Sequence, residues 1–235
     1  MVTVGRDTSL ASSLSTGVPQ GSVLGPRSYV IYAEDAQEIF EFQRVMYHLF
    51  ADDMQGHVSA KPRNARLITS NIQECIAAVS SWCASKRLQL NTKKTEVLWF
   101  GSAANLRQVT RADRCLTIGP DVVEPVEVVR DLGVLFDTHL TMKAHISRVS
   151  RTCFYHLRRL RSIRRCLGRE VTARLVSALI ISRLDYCNAI LANLPASTLA
   201  PLQRVLNAAA RLVMNLGPRD HVTPALYELH WLPVQ

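Results

Sequence analysis

Two adjacent aspartates, Asp52 and Asp53, lie inside the apolar stretch "LFADDM" at residues 49–54. A buried carboxylate is costly unless it is paired, and two neighbouring carboxylates resist ionising together. Adjacent residues of a strand point to opposite faces, so the two carboxylates can converge only where the chain reverses. The segment "VMYHLFADDMQGHV" at 45–58 therefore predicts two short strands joined by a tight turn at the aspartates.

This turn has two alternative interpretations. Carboxylate oxygens are hard ligands that suit Mg²⁺, and two such ions support phosphoryl transfer. A solvated turn is the commoner explanation of an isolated "ADD". Two neighbouring segments favour the metal: the glycine loop "GVPQGSVLGP" offers open backbone and the polar Gln20 to a nucleotide, and "NTKKTE" carries Lys93 and Lys94, which could balance a triphosphate.

The excess of positive over negative charge is confined to one segment. Residues 143–174 hold ten Lys/Arg and one acid, Glu170, which equals the net charge of +9 of the whole chain. A helix made polar for solubility usually mixes both signs, and this one does not. The segment is therefore predicted to contact a polyanion such as a nucleic-acid backbone, with a solvated helix face as the alternative.

The pattern along the chain predicts an α+β fold, with an α+β part at 1–138 and an all-helical part at 139–235. The helix after Asn64 shows an apolar face at helical spacing, and so does the segment from Ile146 to Leu167. Further helices are expected in 29–42, 169–187 and 197–216, strands at 95–101, 115–119, 126–129 and 132–136, and a polar loop at 102–114.

Several classes of protein are excluded by composition. The six cysteines form no C-x-x-C pair, so reduced thiols are expected and zinc is not. The beginning of the chain lacks a basic, apolar leader, and no segment is apolar enough to cross a bilayer. The chain is therefore predicted to be intracellular, in the nucleus or cytoplasm, rather than secreted or membrane-bound.

Long motifs in a fixed order resemble the second half of the reverse transcriptase of non-LTR (LINE-type) retrotransposons. These motifs are "GVPQGSVLGP", "IYAED", "HLFADDMQ", "LQLNTKKTEVLWF" and "VRDLGVLFDTHLTMKAHI". The later segments "SRLDYCNAIL", "LQRVLNAAARLV" and "HVTPALYELHWLPV" are similar to the region that follows the polymerase core in the same family. The resemblance covers nearly the whole chain.

The resemblance implies RNA-directed DNA polymerase activity, in which Mg²⁺ (or Mn²⁺) supports nucleotide transfer onto a primer 3′-hydroxyl. It implies an RNA template, a DNA primer and deoxynucleoside triphosphates as partners. It also implies a right-handed polymerase architecture, with a partial palm (an antiparallel sheet with helices) at 1–138 and a helical thumb and post-thumb region at 139–235.

The resemblance also assigns roles to residues. Asp52 is implied as the main metal ligand and catalytic residue, and Asp53 as its partner. Phe50 stands where the family usually has tyrosine. The remaining assignments are Gln20, Gly21, Phe50 and Lys94 for nucleotide or template binding, Leu132 and Gly133 for the primer grip, and Arg151, Arg158, Arg159, Arg161, Arg164 and Arg165 for the nucleic-acid backbone.

One departure from the family pattern bears on activity. The family palm has an earlier strand with another metal-binding aspartate, and nothing before Gly17 resembles it; the only acid there is Asp7. Because electrostatic stabilisation of the transferring phosphate dominates this chemistry, the isolated chain is expected to polymerise negligibly. The alternative hypothesis is a catalytically dead nucleic-acid-binding remnant that uses the arginine-rich segment 143–174.

Overall fold

The computed structural model describes residues 21–234, together with two short paired strands, Thr3–Val4 and Asp7–Thr8. These residues form two compact units: one contains 1–95 and 111–123, the other 96–110 and 124–235. The part of the predicted glycine loop that ends at Gln20 lies outside the described residues. The predicted boundary between an α+β part and an all-helical part at residue 138 stays a prediction.

The described chain mixes helices with small antiparallel sheets, as expected of an α+β protein. The strands pair only with their neighbours in sequence, which gives four two-stranded sheets within the described residues. In chain order the strands are β1 (Thr3–Val4), β2 (Asp7–Thr8), β3 (Met46–Phe50), β4 (Asp53–His57), β5 (Leu116–Ile118), β6 (Asp121–Val123), β7 (Val128–Asp131) and β8 (Val134–Asp137). The helices are α1 (Gly25–Ala33), α2 (Ala36–Phe42), α3 (Ala65–Ser85), α4 (Ala103–Arg107), α5 (Arg111–Arg114), α6 (Lys143–Ile163), α7 (Arg169–Val176), α8 (Ser182–Asp185), α9 (Ala196–Met214) and α10 (Thr223–Glu228).

The first unit is organised around one face of α3. Cys75, Val79 and Cys83 follow each other at four-residue intervals, so they share a face, and all three are buried. The hairpin of β3 and β4 packs on this cluster together with Phe40. Gly56 of β4 favours the close approach, because a Cβ there would lie 3.2 Å from Val45 Cγ1 and would require a small shift of that side chain.

A polar and aromatic cluster joins the start of α2 to the end of α3. Asp35 accepts a hydrogen bond from Trp82 Nε1 at 3.1 Å and pairs with Lys86 Nζ at 2.7 Å. Tyr32 donates to the Lys86 carbonyl at 2.5 Å, and the Lys86 ammonium lies 5.2 Å from the Tyr32 ring centroid. The hydrogen bond from Lys86 is the main cause of the lowered pKa of Asp35. The "IYAED" motif therefore fastens α1 and α2 to α3.

The second unit has the larger core, formed mainly by α6 and α9. The predicted apolar stripe of α6 is confirmed at Ile146, Cys153, Leu157 and Leu160, which are all buried. The predicted helix at 169–187 is interrupted by a π-helical turn at Ser177–Ile181 between α7 and α8. Such turns insert one extra residue into a helix, and here Ile180 is fully buried in the core.

Two predictions for residues 95–114 are wrong. The segment 95–101 forms only a single bridge, Val97 with Pro125, instead of a strand. Proline has no N–H to donate, so this partner cannot extend a ladder. The expected polar loop at 102–114 contains α4 and α5, and α4 begins where Ser102 Oγ accepts a hydrogen bond from the Asn105 N–H at 3.2 Å.

The cysteine side chains and the lengths of the helices bear on two of the predictions from composition. The six cysteines all lie in this range and are free; Cys75, Cys83 and Cys153 are buried, and Cys166 and Cys187 are exposed. Over residues 21–234, and in β1 and β2, no helix has the length and apolar character required to cross a membrane.

Arg164 has a structural use that was not predicted. Its guanidinium donates to the carbonyls of Leu212 and Val213 at the end of α9, at 2.9 and 3.1 Å, and to the Leu167 carbonyl at 2.7 Å. Carbonyls in the last turn of a helix have no partners within the helix, and a cation is favourable there. Arg164 therefore differs from the other arginines assigned to a nucleic-acid backbone, because its donors already hold α6 and α9 together.

Replacing Arg164 by lysine should destabilise the fold by about 1–3 kcal/mol, because an ammonium cannot reproduce the planar fork that reaches three carbonyls. Urea unfolding of the variant and the parent chain measures this difference. Arg165→Lys is the matched control, since Arg165 is exposed and its replacement should change stability by no more than about 0.5 kcal/mol. Equal stability of the two variants would contradict the structural role of Arg164.

Candidate functional site

The predicted turn at the aspartates is present. Phe50 pairs with Asp53 in the β3–β4 ladder, so the connection consists of Ala51 and Asp52 alone. Ala51 has a φ of 55°, whereas Asp52 does not have a positive φ. A positive φ at the first central residue of a two-residue hairpin turn is a conformation in which glycine is normally preferred. An alanine in this left-handed region costs roughly 1–2 kcal/mol.

Burial of one hairpin face determines where the aspartates lie. Leu49 and Met54 are opposite each other and pack against the cluster on α3. On the other face Phe50 and Asp53 are exposed, and Asp52 is exposed in the turn. Both carboxylates are therefore accessible, and the structure agrees with a solvent-facing turn rather than a buried pair.

The surroundings of the two aspartates differ. Asp53 Oδ2 accepts a hydrogen bond of 3.4 Å from Gln55 Nε2 on the same strand. Asp52 acts on Tyr29 of α1: burial raises the pKa of that phenol, and the negative charge of Asp52 raises it further. The charge of Asp52 is thus felt by the helix that follows the glycine loop, a neighbour that the sequence did not reveal.

The other predicted nucleotide-binding residues that the structure describes, Gly21 and Lys94, lie outside the β3–β4 turn. Gly21 has a φ of +84° and open space around it, which is consistent with backbone available for contact. Lys94 is exposed at the end of a short 3₁₀ turn, Thr92–Lys94. Across residues 21–234, Lys94 forms no hydrogen bond or ion pair with either aspartate. Gln20 lies outside the described residues.

Among the described residues, no third His, Cys, Asp or Glu side chain lies close enough to the two aspartates to complete a metal site. No group of three or more such side chains that could hold an ion occurs elsewhere in these residues either. Asp52 and Asp53 are the exposed carboxylates of this turn that could hold magnesium. Mg²⁺ is commonly bound by one or two protein carboxylates, with water and substrate phosphates completing its octahedron.

Replacing Ala51 by glycine should stabilise the fold by about 0.5–1 kcal/mol, because relief of the left-handed strain exceeds the entropic cost of glycine. The free energy of unfolding in urea measures the change. Ala60→Gly is the control: Ala60 is exposed in a loop without a positive φ, so glycine there should destabilise by up to about 1 kcal/mol. A loss of stability in both variants would show that Ala51 is not strained.

A second hairpin, formed by β7 and β8, presents the residues predicted to grip a primer. Asp131 pairs with Val134, so the turn consists of Leu132 and Gly133. Both have positive φ, 42° and 91°, which is the pattern of a type I′ turn. Tyr186, 54 residues later, donates its hydroxyl proton to the Leu132 carbonyl at 2.5 Å. A Cβ on Gly133 would lie 3.4 Å from the Tyr186 ring.

The arginines of α6 form one exposed face. At about 100° per residue, Arg148, Arg151, Arg158 and Arg159 fall within an arc of about 100° and extend over roughly 16 Å. All four are exposed, and we call them the arginine face. Tyr155 lies in the middle, where its hydroxyl accepts a hydrogen bond of 2.9 Å from Arg159.

A shallow groove borders the first half of the arginine face. It has a volume of about 470 Å³ and is lined by Leu135, Ala144, Ser147, Arg148, Arg151 and Thr152. Hydroxyls and guanidinium groups together are suited to phosphate oxygens. Of the other predicted backbone contacts, Arg161 lies about 60° beyond the edge of the face, and Arg165 is exposed in the 3₁₀ turn that follows α6.

The sequence reasoning missed Arg148 and Tyr155 of this surface. Both could have been found from helical spacing, because they occur at intervals of three or four residues from Arg151, Arg158 and Arg159. Tyr29 and Tyr186 had no comparable signal, since their contacts join residues far apart in the sequence.

Comparisons with known proteins agree with the earlier resemblance. A family model described as "Reverse transcriptase (RNA-dependent DNA polymerase)" matches residues 5–134. The "Probable RNA-directed DNA polymerase from transposon BS" of Drosophila melanogaster is 25% identical over 166 residues, which is 68% of this chain and 18% of that protein. Two further relatives from the same organism are the "RNA-directed DNA polymerase from mobile element jockey" and the "Probable RNA-directed DNA polymerase from transposon X-element". Each is 28% identical over 144 residues, which is 58% of this chain and 14% of that protein. No solved structure matches.

Proposed function

The chain belongs to the reverse transcriptase (RNA-dependent DNA polymerase) family, and we propose that it contributes a metal-binding turn, a primer-gripping hairpin and a duplex-binding helix to RNA-templated DNA synthesis. It spans less than a fifth of the length of the curated relatives it matches, 14–18%. The observation that carries the proposal is the exposed "ADD" turn inside the matched region. The family match favours this function over a binding-only remnant.

The two aspartates would have different tasks. Asp52, at the tip of the turn, would hold Mg²⁺ or Mn²⁺, and Asp53, the first residue of β4, would share it. The bound ion supplies positive charge to the phosphate undergoing transfer. In the family reaction a primer 3′-hydroxyl forms a bond to the α-phosphate of a deoxynucleoside triphosphate, and the bond to pyrophosphate breaks.

The remaining residues would position the substrates. Phe50 exposes its ring on the same face as Asp53, where it would pack against a nucleotide. Gln20 and Gly21 would line the pocket for the template and the incoming nucleotide, and Lys94 would balance the triphosphate. Leu132 and Gly133 would hold the primer end.

The arginine face would bind the phosphates of the template–primer duplex, with Arg161 and Arg165 at its margin. We also propose the palm and thumb arrangement, with the palm over residues 1–138 and the helical thumb over 139–235. Because RNA templates and deoxynucleotides are found inside cells, the proposed site of action is the nucleus or cytoplasm.

Mn²⁺ should bind to the parent chain, and Asp52→Asn should lower its affinity roughly tenfold or more, because a direct ligand is lost. Electron paramagnetic resonance of free Mn²⁺ during titration measures this.

Primer extension on an RNA template in Mg²⁺ should stay near background for the isolated chain, since the described carboxylates come from one hairpin only.

Glu38→Gln serves as the control for Mn²⁺ binding, because it removes an exposed acid of α2 and should leave the titration unchanged. An equal loss in both variants would show non-specific charge binding and refute the metal-binding turn. Clear primer extension that Asp52→Asn abolishes would show that two carboxylates suffice for catalysis.

Substituting glutamine for all four residues of the arginine face should weaken binding to an RNA–DNA hybrid and reduce its salt dependence. Four lost phosphate contacts lower the slope of log K against log salt by about three to four. Fluorescence anisotropy between about 50 and 200 mM salt measures both quantities.

The matched control is a second quadruple glutamine variant with the same change in charge. It replaces exposed arginines elsewhere on the chain: Arg63, Arg66, Arg204 and Arg219. Equal effects of the two quadruple variants would mean that total charge, rather than the arginine face, attracts the hybrid.

A further inference from the structure

We propose that Tyr186 is a positioning residue that holds the tip of the β7–β8 hairpin in the conformation needed to engage a primer end. This inference rests on the proposed function, in which Leu132 and Gly133 form the primer grip. No part of the sequence resemblance assigns a role to Tyr186.

The tip needs an external support. Each strand of this hairpin has four residues, and an isolated two-stranded hairpin is marginally stable in water. Leu132 occupies a left-handed conformation with a φ of 42°, where Asn, Asp or Gly is normally found. A leucine in this position does not select the turn by itself.

Tyr186 provides support from the helical core. It directly follows α8, and that helix is anchored by the buried side chain of Leu184. The Tyr186 hydroxyl donates to the carbonyl of Leu132 at 2.5 Å, and its ring packs beside Gly133. The contact therefore fixes the carbonyl orientation at the first turn residue and limits movement at the second.

The chemistry of the phenol suits this task. Hydrogen bonding and charge interaction with Cys187 raise the pKa of Tyr186, and burial and Asp131 add to the effect. An ordinary phenol is already protonated at neutral pH, so the hydroxyl is available as a donor, and the raised pKa extends this to more alkaline pH. Gly133 is suited to the contact as well, since a side chain there would be strained at a φ of +91°.

The test compares affinities for two RNA–DNA hybrids of equal length, one with a recessed primer 3′ end and one blunt, by fluorescence anisotropy. The parent chain should prefer the recessed end. Tyr186→Phe should lower this preference about fivefold, which is the loss expected for one hydrogen bond. Its affinity for the blunt hybrid should stay unchanged, because the arginine face remains. Its melting temperature should fall by no more than about 2–4 °C, the loss expected for one hydrogen bond in a chain of this size.

Leu132→Asn separates positioning from direct contact. The readout is amide hydrogen exchange at the β7–β8 turn of the free chain, which does not depend on primer binding. Tyr186→Phe should speed this exchange about fivefold, and Leu132→Asn should cancel most of that increase, since Asn-Gly favours a type I′ turn by itself. An undiminished fivefold effect in the double variant would overturn the positioning role, and so would an unchanged preference for the recessed end after Tyr186→Phe alone. If the parent chain shows no preference for a recessed end, the primer grip itself fails, and the role of Tyr186 fails with it.

Discussion

Burial of one face of the β3–β4 hairpin against α3 is the constraint on which the candidate site depends. Leu49 and Met54 must both point to the apolar cluster, and a shift in pairing by one residue would turn them to solvent. This register leaves only Ala51 and Asp52 in the turn and puts Asp53 on the exposed face. The position of the carboxylates is thus a consequence of apolar packing that contains no charged group.

The β3–β4 hairpin of the first unit and the β7–β8 hairpin of the second share an unfavourable feature. Ala51 and Leu132 each occupy the first turn position with a positive φ, although glycine or asparagine would fit there at lower cost. Strained backbone of this kind persists where the surrounding structure determines it, and eight further non-glycine residues of the described chain also have a positive φ. In both hairpins the strained residue adjoins a residue assigned to function, Asp52 in one and Gly133 in the other.

Local sequence patterns predicted the elements that depend on local physics. The turn at the aspartates, the apolar face of α3 and the stripe of α6 were all confirmed, because each follows from periodicity or turn chemistry. The strand at 95–101 was wrong because a ladder needs a partner, and only Pro125 was available. The structural role of Arg164 and the contact of Tyr186 could not be predicted, since each joins residues about 50 positions apart.

The division of the chain into units has a consequence for synthesis on the ribosome. The chain passes between the two units after residues 95, 110 and 123, so neither unit is a continuous stretch. Thr69 of α3 donates to the Asp113 carbonyl at 2.6 Å, a partner that is translated more than forty residues later. The residues that cover part of α3 are therefore made only when the chain has reached residue 123. A cut after residue 123 keeps the first unit whole but separates 96–110 from the rest of the second unit, and a cut after residue 95 does the reverse.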